Sequence, residues 1–143
     1  MRYLFLIFFI ISLSFSSDFR RDASSKVVVD SANKLMWIDN VTVIKLTKTH
    51  EDATKYCETL SYAGYANWRV PEIEEFKLIV DKKNERNYIN RAFRFNVPDG
   101  YWARKAHWRT FWFYADYMHF ISGTAYFDSR FKEKFVRCLR EIE

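Results

Sequence analysis

Two cysteines constrain this chain more than any other feature. Cys57 and Cys138 are the only ones it has, and more than half of the chain lies between them. Whether they pair depends on compartment, because thiols stay reduced in the cytosol and oxidise outside it. Residues 1–17, MRYLFLIFFIISLSFSS, bear on that question. Arg2 gives a short positive start, and Leu4 to Phe15 is an apolar run broken only by Ser12 and Ser14. Ser14 and Ser16 put small residues on the near side of a cut after Ser16. This is the pattern of a secretory signal peptide, and it is too short for a comfortable membrane span. An uncleaved N-terminal anchor is the alternative. Export predicts that Cys57 and Cys138 pair, closing a loop worth about 4–5 kcal/mol in the chain-entropy model. The alternative is a nucleophilic cysteine served by a histidine, and nothing local to either cysteine supports it.

The remaining chain is sized for one domain, with 143 residues in all. Half of it is hydrophobic and a fifth is aromatic, so a core can form. Three glycines and two prolines exclude collagen-like and linker-rich readings. Residues 18–25 read as a polar leader without period, and 26–143 as the domain. The formal charge is +5. Its basic residues crowd at Lys132, Lys134, Arg137 and Arg140, and again at Arg104, Lys105 and Arg109. Such a balance suits acidic glycans or anionic surfaces, or else a solvated basic face.

Two β-prone runs, Val27 to Val29 and Leu35 to Ile38, flank turn formers and predict a hairpin over 26–39. Ala53, Tyr56, Cys57 and Leu60 share one face of a helix that starts after Thr49 and ends at Gly64. A second helix follows the extended Tyr65 to Val70. Pro71 suits its first turn, Glu72, Glu74 and Glu75 suit its positive end, and Ile73, Phe76, Ile79 and Val80 form its apolar face to about Asp81 or Lys83. Trp68 then reads as core and Arg69 as its charged neighbour, with a Trp/Arg ligand platform as the alternative. The last third predicts strands at 101–106, 110–116, 119–128 and 134–140.

Four segments line up in order: DSANKLMW (30–37), CETLSYAGYANWRVPEIEEFKLIVD (57–81), YW (101–102) and FVRCLR (135–140). Together they resemble the Lcl C-terminal domain family over about residues 26–140. The resemblance implies an α+β, C-type-lectin-like fold similar to that of formylglycine-generating enzymes. Two helices would pack on antiparallel strands, the termini would meet at the first and last strands, and one long-range Cys57–Cys138 disulfide would close the domain. It also implies an exported bacterial protein, some of whose relatives are linked to sulfated polysaccharides and host surfaces. The chain departs from the family in carrying Ala103-Arg104 where Ser or Thr often follows Tyr-Trp, and in its aromatic, basic stretch up to Gly123.

No residue set specifies catalysis. There is no nucleophile elbow, glycine-rich phosphate loop or telling acid pair. No metal and no cofactor are expected: His50-Glu51-Asp52 are adjacent residues pointing apart, and Asp99 in a turn falls short of a calcium ligand set. The remaining candidate is YWARKAHWRTFWFYADYMHF (101–120). Trp102, Trp108, Trp112 and Tyr114 offer faces for sugar rings, and Arg104, Lys105 and Arg109 offer charge for sulfate or carboxylate. In a strand half of these aromatics would face the core, with Phe111, Phe113 and Ala115 opposite Trp112, Tyr114 and Asp116. The expectation is a periplasmic or extracellular, non-catalytic binding module. Its partner would be an acidic polysaccharide or an envelope or host-surface protein. No nucleic acid and no stable membrane span after signal cleavage are expected. The other reading is a structural partner that docks a protein through the same face.

Overall fold

The computed structural model describes residues 18–143, apart from the side chain of Arg109, so the signal peptide expected over residues 1–17 lies outside the described residues. In chain order the strands are β1 (Phe19–Asp22), β2 (Val27–Asp30), β3 (Leu35–Ile38) and β4 (Thr47–Lys48). Then come α1 (His50–Glu58), α2 (Ile73–Ile79), β5 (Gly100–Ala106), β6 (Tyr114–His119), β7 (Thr124–Ser129), β8 (Lys134–Phe135) and β9 (Leu139–Glu141). One sheet runs β1-β2-β3-β9 and the other β4-β8-β5-β6-β7. All pairings are antiparallel except the contact between β5 and β8. The protein is thus α+β, with two helices, two mostly antiparallel sheets and one long-range disulfide.

The expected hairpin forms β2 and β3 with Asp30 opposite Leu35. Asp30 shapes its turn by accepting from Asn33 N at 3.1 Å and from Asn33 Nδ2 at 2.8 Å. The polar leader needs correction, because residues 19–22 are a strand paired with β2. Phe19 and Arg21 are half-buried while Arg20 and Asp22 are exposed, which is the period of two. Arg21 can lean inward because its Nε donates to the buried Asp39 carboxylate at 2.6 Å.

α1 begins where expected, with the Thr49 hydroxyl accepting from Asp52 N. It stops at Glu58 rather than at Gly64. Ala63 and Gly64 have φ of 53° and 79° and instead turn a small hairpin in which Tyr62 and Tyr65 pair. α2 is also shorter than its apolar period suggests and ends at Ile79, since Val80 turns extended to pair with Ile89. Pro71 lies before the helix, not within its first turn. Glu72 is the cap and exchanges a capping box with Glu75.

The joint 68–71 is structural. Trp68 is buried and its indole N–H donates to Tyr65 O at 3.0 Å. The Arg69 backbone pairs with Leu139, and its guanidinium forks onto Glu75 at 2.7 and 2.8 Å. One residue pair therefore ties the start of α2 to the closing strand.

Alternating residues along the strands feed two cores. Val27, Met36, Trp102 and Cys138 join one, and Val28, Trp37, Tyr101 and Leu139 join the other. β3 is consequently buried at all four positions. Cys57 on α1 bonds Cys138 across a separation of 81 residues, inside the first core.

Candidate functional site

The site expected at 101–120 divides in three. Its first part is core. Trp102 is fully buried and its indole N–H donates to Lys48 O at 2.8 Å, so no ligand can stack on it. Its inclusion among the contact residues is corrected on that ground.

The second part is a pair of basic residues that face elsewhere. The register of β5 against β6 shifts between Trp102 and Ala106, and Arg104 and Lys105 lie in that irregular stretch. Consecutive exposure of both follows, where a regular strand would alternate them. Arg104 N donates to Pro71 O at 2.9 Å instead of to β6. Its guanidinium lies 3.4 Å from Glu72, and Lys105 borders a depression with Glu72, Glu74 and Asp116. Both cations therefore turn toward the acidic start of α2.

The third part is a projection. Residues 107–113 form a loop between β5 and β6, so the strand expected over 110–116 begins only at Tyr114. His107 N donates to Tyr114 O at 2.8 Å and closes it. A short 3-10 turn spans Trp108–Thr110, and the Thr110 hydroxyl donates to His107 O. Phe111 and Trp112 then take left-handed φ of 49° and 64°. Two such residues destroy the alternation of a strand, so Phe111, Trp112, Phe113 and Tyr114 are exposed in succession. Phe111 is 83% exposed, Phe131 73%, Trp108 65% and Phe127 63%. Phe113 packs against Phe131, with centroids 6.1 Å apart, and Tyr114 meets Phe127 edge-on.

Beneath this projection is a cavity of about 200 Å³ lined by Thr49, Glu51, Phe111, Trp112, Phe113, Arg130 and Phe131. Its anchor is His50, which is buried at the start of α1. Its Nε2 lies 2.9 Å from Ala103 O, which makes that nitrogen the donor, and Arg130 Nε donates to Nδ1 at 3.1 Å. Burial, helped by the Arg130 charge, pulls the His50 pKa below its ordinary value against the opposing Ala103 carbonyl. The neutral ring this favours is the one the hydrogen bonds require. Arg130 Nη1 donates onward to Trp112 O at 3.1 Å, and Arg130 N to Phe113 O at 2.8 Å. The chain His50–Arg130–Trp112 thus fastens the projection to α1.

Of the seven expected contact residues, Trp108, Trp112 and Tyr114 share this surface, while Trp102 does not and Arg104 and Lys105 face α2. The side chain of Arg109 lies outside the described residues. His50, Glu51, Phe127, Arg130 and Phe131 were not expected. His50 and Arg130 are 80 positions apart, and neither carries a local mark of the contact. Among the described residues, no group of three or more His, Cys, Asp or Glu side chains is placed to hold a metal ion, and no helix is long and apolar enough to cross a membrane.

An exposed aromatic projection on a disulfide-closed α+β scaffold, with no free cysteine, defines a domain whose distinctive surface lies in its loops. The chain belongs to the Lcl C-terminal domain family, whose profile matches residues 26–140. No curated protein and no solved structure gives a match to the chain.

Proposed function

We propose that this protein is an exported, non-catalytic recognition module, that its contact surface is the aromatic projection, and that its ligand is an acidic glycan. The observation that carries the reading is the contiguous exposure of Trp108, Phe111, Trp112, Phe113 and Tyr114, with Phe127 and Phe131 beside them. Soluble domains rarely leave such a patch uncovered without a use for it. Indole and phenol rings stack on the apolar faces of sugars, and the net positive charge favours an acidic polymer. A disulfide persists in oxidising compartments, which supports export. Both cysteines are consumed by that bond, which leaves no thiol for nucleophilic chemistry.

Retention of the full chain on immobilised heparin tests the proposal. Trp108→Ala with Trp112→Ala should elute at lower salt with an unchanged melting temperature. Triple replacement of Arg104, Lys105 and Arg109 by Ala isolates the part played by charge. Unchanged retention in both variants removes the glycan reading.

A second reading has its own support. Phe111, Phe113 and Phe131 offer no polar atom to a sugar hydroxyl, and a protein partner would cover them better. Pull-down from an envelope extract that is lost in Phe111→Ser, with no signal on a glycan array, would favour that reading.

A further inference from the structure

A second surface, sharing no residue with the aromatic projection, is built from arginine. A depression of about 530 Å³ is lined by Arg21, Asn84, Arg86, Asn87, Arg91, Ala92, Phe93 and Arg94. Four guanidinium groups border it, and no carboxylate does. Glu85 lies in the same segment but is not part of the lining and pairs with none of these arginines among the described residues. Asp39, which anchors Arg21, is already committed. It accepts from Arg21 Nε at 2.6 Å, from Arg94 N at 2.9 Å and from Phe95 N at 3.0 Å, and it also faces the buried Arg137. One carboxylate therefore balances two guanidiniums at the base, and Arg86, Arg91 and Arg94 form no ion pair among the described residues. Residues 1–17 contain no Asp or Glu that could supply one.

The wall is also held in shape. Asn84 Nδ2 donates to Asn87 Oδ1 and to Ile89 O, both at 2.7 Å. With its Oδ1 engaged by Asn84, Asn87 borders the depression with its Nδ2 as the remaining donor. Tyr88 takes a left-handed φ of 57°, which curls the segment between Asn84 and Ile89. Like charges gathered on a hydrogen-bonded frame repel one another until an anion joins them, and forked guanidinium donors match a tetrahedral oxyanion.

We propose that this depression binds a phosphate-type oxyanion, held by Arg86, Arg91 and Arg94 with Asn87 as a neutral donor. The group can arrive as free inorganic phosphate or as the phosphomonoester of a larger molecule, and the two are separable. The full chain, isotopically labelled, is titrated with inorganic phosphate and with phenyl phosphate while backbone amide shifts are recorded. Sodium chloride at matched ionic strength is the control.

Saturable shifts confined to residues 84–94 are expected. Each of Arg91→Gln and Arg94→Gln should weaken the apparent affinity by about fivefold, with the spectrum elsewhere unchanged. Equal affinity for both probes assigns the site to the free ion, and tighter binding of phenyl phosphate assigns it to an ester. Shifts no larger than those with chloride, or shifts that survive both substitutions, overturn the proposal. Because these arginines are exposed, Arg86→Gln provides a third variant whose folding is not in question.

Discussion

The Arg137 guanidinium lies 3.6 Å from the Asp39 carboxylate, and both side chains are completely buried. Arg137 also donates to Ile38 O at 2.7 Å and to Phe95 O, so it joins β3, the 93–97 loop and the segment entering β9. Asp39 holds the same loop through the N–H groups of Arg94 and Phe95. Removing one partner of such a pair leaves a buried charge without compensation. Asp39→Ala should therefore cost about 3–5 kcal/mol, measured by urea unfolding. Asp39→Asn, which keeps an acceptor and loses the charge, should cost less.

The Cys57–Cys138 bond restrains the unfolded chain more than it adds native contact. Its loop of 81 residues should contribute about 4–5 kcal/mol in the chain-entropy model. Urea unfolding of Cys57→Ala/Cys138→Ala against the oxidised chain measures it. A lower midpoint together with a steeper slope in the variant would show the expanded denatured state that this account requires, and an unchanged slope would count against it. Two reduced thiols in the folded protein, seen by mass spectrometry, would remove the premise.

Phe111 separates folding from recognition. Its left-handed backbone costs a non-glycine residue about 1–2 kcal/mol. Glycine adopts that region freely but loses more entropy on folding, about 0.5–1 kcal/mol relative to alanine. Phe111→Gly should therefore leave the melting temperature nearly unchanged or slightly raised. Because the ring is among the most exposed of the projection, the proposed recognition surface predicts that the same variant elutes from immobilised heparin at lower salt. A melting temperature that falls by several degrees would mean that Phe111 is packing rather than contacting.

What the sequence could reveal followed from how local each determinant was. The hairpin of β2 and β3 was legible because Asp30 and Asn33 build its turn within four residues. The start of α1 was legible from Thr49, and the 68–71 joint from Pro71 and the glutamates after it. β1 was hidden because its inward charge, Arg21, is compensated by a residue 18 positions away. The 107–113 projection was hidden for a different reason. Its aromatic run satisfies a strand pattern, and left-handed residues at Phe111 and Trp112 carry no glycine or asparagine to mark them. Trp102 shows the converse, since an aromatic side chain suits a ligand surface and a core equally well.

Three of the shifted groups join separate parts of the fold and bear on how acid should act. The His50 pKa is lowered, mainly by burial, from an ordinary 6.5. A base whose folded pKa is depressed contributes stability above its unfolded value and loses it as pH falls toward the folded one. Asp128 is pushed up by burial, but Lys134 and Lys132 outweigh that and hold it at about 2, against an ordinary 3.8. Glu75 is likewise raised by burial and then brought below its ordinary 4.5 by the Arg69 fork and the Glu72 N–H. Both carboxylates stabilise above their unfolded values and stop doing so as pH falls through their folded ones. Acidification should thus destabilise in two stages. Below about pH 6.5 His50 begins to respond, and a protonated ring loses its acceptor for Arg130 and repels it, which loosens the Trp112 anchor. The carboxylates follow between about pH 4.5 and 2. Thermal melts and tryptophan fluorescence across this range should show both stages, and His50→Gln should remove the first while sparing the second. A wild-type profile that is flat from about pH 7 to 5 would contradict the role given to His50.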